Sequence, residues 1–98
     1  MIRVLLPTNL GNLANGHREI MIQVEGPATI SSVLDALETQ FPVLRGTIRD
    51  QTSKLRRPFI RFFGCGQDLS LDPADGPLPE AIGTGAEPLN VVGAMAGG

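Results

Sequence analysis

A chain of 98 residues, 42% of them hydrophobic and 18% charged, carries enough apolar material for one small domain with its own core. One cysteine and one histidine are too few for a zinc site, an iron–sulfur site or an internal disulfide, so no bound metal or cofactor is expected. A net charge of −2 excludes a general nucleic-acid binder, and no apolar run approaches the roughly 18 residues of a membrane span. Met1-Ile2-Arg3-Val4 opens without a signal-peptide pattern, and the expectation is a cytoplasmic protein with no membrane partner.

Ile2, Val4 and Leu6 alternate with Met1, Arg3 and Leu5, the period-two pattern of a strand with one buried face, and Pro7 stops it. Asn9 through Gly16, with three Asn and two Gly, has the composition of a loop. Alternation resumes with Ile20, Ile22 and Val24 against Met21, Gln23 and Glu25, a second strand that can form a hairpin with the first. After Gly26-Pro27, Ile30, Val33, Leu34, Leu37 and Phe41 recur at helical spacing; Thr29 is placed to cap this helix and Pro42 to end it. Leu44 and Ile48 allow one further helical turn, and Arg49 to Pro58 reads as a polar, basic surface loop. Phe59-Ile60-Arg61-Phe62-Phe63 predicts a strand with Ile60 and Phe62 on one face and Phe59, Arg61 and Phe63 on the other. Gly64-Cys65-Gly66 turns it, Leu69 and Leu71 predict a short strand, Asp72 to Pro79 a loop, and Leu89 to Val92 the last strand.

The charges are unevenly spread. Between positions 45 and 61 stand Arg45, Arg49, Lys54, Arg56, Arg57 and Arg61 against Asp50 alone, a net +5, while the remainder carries two arginines against nine acids. A solvated loop accounts for the basic segment, with docking to an acidic partner surface as the functional alternative. Two readings also attend the single histidine and cysteine: His17 is a solvated turn residue rather than a proton carrier, and Cys65 a tight-turn residue rather than a persulfide holder.

Strand, strand, helix, strand, short strand, strand is the order of an α+β, ubiquitin-like β-grasp: a mixed sheet of four to five strands packed on one main helix. Its first and last strands lie parallel at the sheet centre. Residues 1–94 would form this domain and 95–98 a flexible tail ending in diglycine. If Ile60 and Phe62 face the helix, Phe59 and Phe63 join Leu5, Met21 and Val92 in an apolar patch on the open sheet face, for docking or for dimer burial.

Ile2-Arg3-Val4-Leu5-Leu6-Pro7, the helical Val33-Leu34-Asp35-Ala36-Leu37-Glu38, Leu55-Arg56-Arg57, Gly66-Gln67-Asp68 and the terminal Gly97-Gly98 together resemble the MoaD/ThiS family of sulfur carriers over nearly the whole chain. The resemblance implies a carrier without catalytic residues of its own. Its terminal carboxylate, here on Gly98, is converted to an acyl-adenylate by a ubiquitin-activating-type adenylyltransferase that uses ATP. Sulfide or persulfide, supplied by a sulfurtransferase or cysteine desulfurase, then displaces AMP to leave a thiocarboxylate. An acceptor biosynthetic enzyme of a molybdopterin-like, thiamine-like or cysteine-like pathway takes the sulfur. Gly97 and Ala96 would thread the enclosed active site, since residues with little or no side chain permit close approach. Leu5, Phe59, Arg61, Phe63 and Val92 would form the docking face. Two segments depart from the family pattern: Gly64-Cys65-Gly66 stands where Val-Asn-Gly is frequent, and Gly83 to Pro88 where Asp-Gly-Asp is common. A ubiquitin-like modifier joined to lysines through Gly98 is the second class of function, and a binding module with an inert tail the third.

Overall fold

The first alternating segment forms strand β1 (Ile2–Leu5), with Ile2 and Val4 buried and Arg3 and Leu5 on the opposite face. Residues 1–93 are those described by the structure, a computed structural model. Helix α1 (Thr8–Leu13) follows immediately, where the Asn and Gly content predicts a loop. Leu10 and Ala14 are drawn into the core, and their burial outweighs the poor helix propensity of the residues around them. Asn15 and Gly16, at φ of 58° and 83°, end the turn in the left-handed region. Strand β2 (Glu19–Ile22) then runs antiparallel to β1, pairing Ile2 with Ile22 and Val4 with Ile20, as the hairpin expectation requires.

The amphipathic segment forms α2 (Ile30–Gln40), and its inward residues Val33, Leu34 and Leu37 are no more than 1% exposed. Burial of this extent contributes about 1.5–3 kcal/mol per side chain. Thr29 caps the helix reciprocally: its Oγ1 accepts from the Ser32 N–H at 2.9 Å, and the Ser32 Oγ accepts from the Thr29 N–H at 2.9 Å. Pro42 opens a short 3₁₀ turn (Pro42–Leu44). The predicted continuation to Ile48 does not form, because Gly46 at φ of 80° reverses the chain, although Leu44 and Ile48 are both fully buried.

The basic segment is a largely exposed loop, as read, except at Arg49. It closes on itself, with Asp50 N–H to Leu55 O at 2.7 Å, Arg57 N–H to Ile48 O at 3.0 Å and an antiparallel bridge between Arg49 and Arg56. Arg49 is turned inward to Glu38 and Asp35 of α2 and is 3% exposed, so one of the six positive charges is withdrawn from the surface.

Strand β3 (Ile60–Gly64) buries Ile60 and Phe62, and a two-residue turn of Cys65 and Gly66, both at positive φ, leads to β4 (Gln67–Asp68). Such a turn matches the twist of a hairpin and sets its register, so Gln67 pairs with Gly64 and Asp68 with Phe63. The short strand is therefore not Leu69 to Leu71: Leu69 enters the core and Leu71 is 82% exposed. Helix α3 (Glu80–Thr84), which no sequence pattern announces, contributes the fully buried Ile82. Strand β5 (Leu89–Gly93) then lies between β1, to which it is parallel, and β3, to which it is antiparallel. The sheet order β2-β1-β5-β3-β4 completes the expected mixed β-grasp with five strands. The inward residues of all four longer strands share one core with Ile30, Val33, Leu34 and Leu37 of α2.

Candidate functional site

Strand parity and register decide what the open side of the sheet presents. Leu5 stands opposite Glu19 on β2 and Asn90 on β5; Asn90 stands opposite Phe63, and Phe63 opposite Asp68. One row thus crosses all five strands as Glu19, Leu5, Asn90, Phe63 and Asp68. A second row pairs Val92 with Arg61, and a third pairs Arg3 with Met21. Met21, Phe63 and Val92 are exposed, while Leu5 and Arg61 are half-buried in the face.

Polar contacts frame this apolar strip. Arg61 Nη1 lies 3.3 Å from Asp68 Oδ2 at one edge, and Arg3 Nη1 lies 3.4 Å from Glu19 Oε1 at the other. Exposed pairs of this kind are worth about 0–1 kcal/mol, so they orient side chains more than they hold the fold. Arg3 is fixed further by its Nε donating to Gly85 O at 2.8 Å. The Asp68 carboxyl is held below its ordinary range by hydrogen bonds from the Ser70 hydroxyl and N–H, with the Arg61 charge adding to the effect.

Of the sequence-predicted docking residues, Leu5, Arg61, Phe63 and Val92 come together on this face. Phe59 has the parity of the same face but precedes β3, is 54% exposed, and lines a groove at the end of the sheet with Pro7, Leu10, Arg57 and Gly93. Sequence reasoning missed that groove, because it depends on α1 and on the fold of the basic segment. Arg57 Nε donates to Gly46 O at 2.8 Å, a contact that joins the two sides of that segment. Ala96, Gly97 and Gly98, the predicted carrier terminus, lie outside the described residues, as does Ala94 of the expected domain boundary. Cys65 is exposed in the β3–β4 turn; His17 is exposed beside α1 with its ring 6.2 Å from that of Phe41. Among the described residues no three His, Cys, Asp or Glu side chains converge to hold a metal ion, and no helix is long and apolar enough to cross a membrane.

No family model and no curated protein sequence matches this chain. Solved structures do. A chain of the Amycolatopsis orientalis BexX/CysO complex superposes with a TM-score of 0.75 at 18% identity, covering 100% of both chains. The small archaeal modifier protein 1 of Haloferax volcanii (SAMP1) gives 0.74 at 22% identity over 98% of this chain and 97% of its own. CysO of Mycobacterium tuberculosis, described as an antigen, gives 0.74 at 16% identity over 97% and 100%. The chain shares the fold of these proteins, a ubiquitin-like β-grasp.

Proposed function

We propose that this protein is a sulfur carrier whose Gly98 carboxylate is activated by a partner enzyme and converted to a thiocarboxylate. The observation that carries the reading is the placement of β5: this central strand is described as far as Gly93, and the five residues Ala94-Met95-Ala96-Gly97-Gly98 follow it in the sequence. Five extended residues reach about 16–18 Å, enough to enter a recessed active site while the sheet stays outside. The likeness of fold to CysO and to small archaeal modifier protein 1 supports the reading.

In the proposed reaction the carboxylate oxygen attacks the α-phosphorus of ATP within an adenylyltransferase, and pyrophosphate leaves. Hydrosulfide then adds to the carbonyl carbon of the acyl-adenylate, AMP leaves, and a thiocarboxylate remains. Where the donor is a persulfide, the acyl disulfide first formed is cleaved by a thiol. An acceptor biosynthetic enzyme then consumes the sulfur. The carrier supplies the carboxylate and the docking face of Leu5, Arg61, Phe63 and Val92, with Phe59 in the groove at the end of the sheet; ATP and the catalytic groups belong to the enzyme.

Intact mass after incubation with ATP, a MoaD/ThiS-type adenylyltransferase and sulfide tests the proposal by replacement of one oxygen by sulfur at the terminus. Deletion of Gly98 should abolish the change, since the carboxylate falls about 3.3–3.6 Å short. Gly98→Ala keeps the reach, adds a Cβ and should load more slowly. Loading of the deletion at the rate of the full chain would overturn the role given to the Gly98 carboxylate, and no loading of either chain would make the tail inert. The likeness to a protein called a modifier favours a second reading, in which the acyl-adenylate passes to a lysine amine of another protein. Conjugates of higher mass that survive reduction would distinguish it, and Lys54, the only lysine here, limits self-conjugation to one site besides the N-terminus.

A further inference from the structure

The groove beside Gly93, the last described residue of β5, has a volume of about 460 Å³ and a composition unlike that of the open face. Pro7, Leu10 and Phe59 give it apolar walls, and Asn9 and Thr47 add neutral polar side chains. Among the described residues its one charged lining residue is Arg57, and no carboxylate lines it. The hydrogen bond from Arg57 Nε to Gly46 O anchors the guanidinium by one nitrogen; the two terminal nitrogens have no partner among the described residues. The groove is continuous with the last strand: a Cβ built on Gly93 would sit 3.9 Å from Pro7 Cγ.

We propose that this groove docks an acidic segment of the activating enzyme, which places a carboxylate on the Arg57 guanidinium and an apolar side chain between Pro7, Leu10 and Phe59. The inference rests on the carrier reading, because that reading has an enzyme meet the chain beside Gly93, where the last five residues of the sequence begin. Charge selects the occupant. A planar guanidinium with two free nitrogens suits a carboxylate, and a wall of proline, leucine and phenylalanine suits an aromatic or aliphatic residue next to it. A groove at the root of the tail fixes where the tail begins, and so where its last atom falls inside the active site.

The test is a titration of the ¹⁵N-labelled full chain with an acetylated and amidated peptide Glu-Leu-Phe-Asp-Glu, against its charge-inverted counterpart Lys-Leu-Phe-Lys-Lys. The acidic peptide should shift the amides of Gly46, Thr47, Phe59 and Gly93 saturably, and the basic peptide should not. Arg57→Glu should weaken the acidic peptide at least tenfold. If that variant loses the spectrum of a folded chain, raised salt on the native protein serves instead, and affinity should fall as the pair is screened. Equal binding of the two peptides, shifts confined to Arg3, Met21 and Phe63, or indifference to both Arg57→Glu and salt would overturn the proposal. The titration uses neither ATP nor enzyme, so sulfur loading without groove binding removes this inference alone, and groove binding without loading removes the carrier reading.

Discussion

Arg49 grips Glu38 with two hydrogen bonds, Nε to Oε2 at 3.0 Å and Nη2 to Oε1 at 3.1 Å, with both side chains withdrawn from water. Burial opposes the charge on Arg49, yet hydrogen bonds and attraction from Glu38 and Asp35 together raise its pKa above the ordinary guanidinium value. The pair ties the basic segment to α2, and that segment in turn forms one side of the groove beside β5.

Arg49→Ala should destabilise the protein by about 3–5 kcal/mol, because it strands the buried Glu38 carboxylate without its partner. Urea denaturation checks this. The double variant Arg49→Met with Glu38→Leu should recover most of the loss, since no buried charge remains. A loss no greater than that of the exposed Arg45→Ala would show that the pair contributes little.

Phe63→Asp should weaken docking to the activating enzyme by at least about 1 kcal/mol, the cost expected for a central apolar contact. The side chain is 36% exposed, so the introduced charge stays hydrated in the free protein and loses water only in the complex, while repulsion from Asp68 across the strands costs the fold a few tenths of a kcal/mol to about 1 kcal/mol. Calorimetric titration measures it, with circular dichroism confirming the fold. Unchanged affinity would remove the open face from docking.

Gly85 and Gly16 have nearly the same left-handed φ, 86° and 83°, but different surroundings. A Cβ on Gly16 meets nothing within 4 Å, whereas on Gly85 it would collide with the Met1 carbonyl oxygen. Gly16→Ala should therefore cost only the left-handed strain, about 1–2 kcal/mol. Gly85→Ala should cost at least about 1 kcal/mol more, the lower end of an overpacking penalty. Thermal unfolding of the two variants side by side makes the comparison.

Asp50 and Asp68 predict the acid limb of stability. Asp50 is lowered by hydrogen bonds from the Ser53 and Thr52 N–H groups and Asp68 by those from Ser70. Because each folded pKa lies below the unfolded value near 3.9, the stabilisation is complete above that value. It is lost as pH falls through the lowered folded values, where the unfolded chain binds more protons. Asp50→Asn with Asp68→Asn should flatten the stability profile below about pH 4 and leave its slope near neutrality unchanged; denaturant midpoints across this range measure it. An equally steep acid limb in the double variant would assign it to other carboxylates.

Periodicity carried the architecture. The period-two segments of β1, β2, β3 and β5 each have one admissible buried face, and a slip of one residue would have placed Ile2, Ile60 or Leu89 in water. Thr29 and Pro42 marked the ends of α2 because a cap and an imino acid act within a single turn. The open-face grouping of Leu5, Arg61, Phe63 and Val92 follows from the same parity, and so was legible before any coordinates. Local composition misled where distant contacts decide: Asn and Gly around Leu10 describe a loop, and only the core that receives Leu10 and Ala14 makes that segment a helix.

What the sequence determined by itself is what depends on neighbours along the chain: strand faces, the main helix and its limits, the turn at Cys65-Gly66, and the resemblance carried by Gly97-Gly98. Tertiary structure alone decided which charges are free and where a cavity opens. Arg49 and Arg57 are both arginines of one basic run, yet one is buried against Glu38 and the other lines the groove at Gly93. No local pattern separates them, because the difference lies in residues about 11 positions away for Arg49 and 36 for Arg57, brought near only when the sheet and α2 enclose a common core.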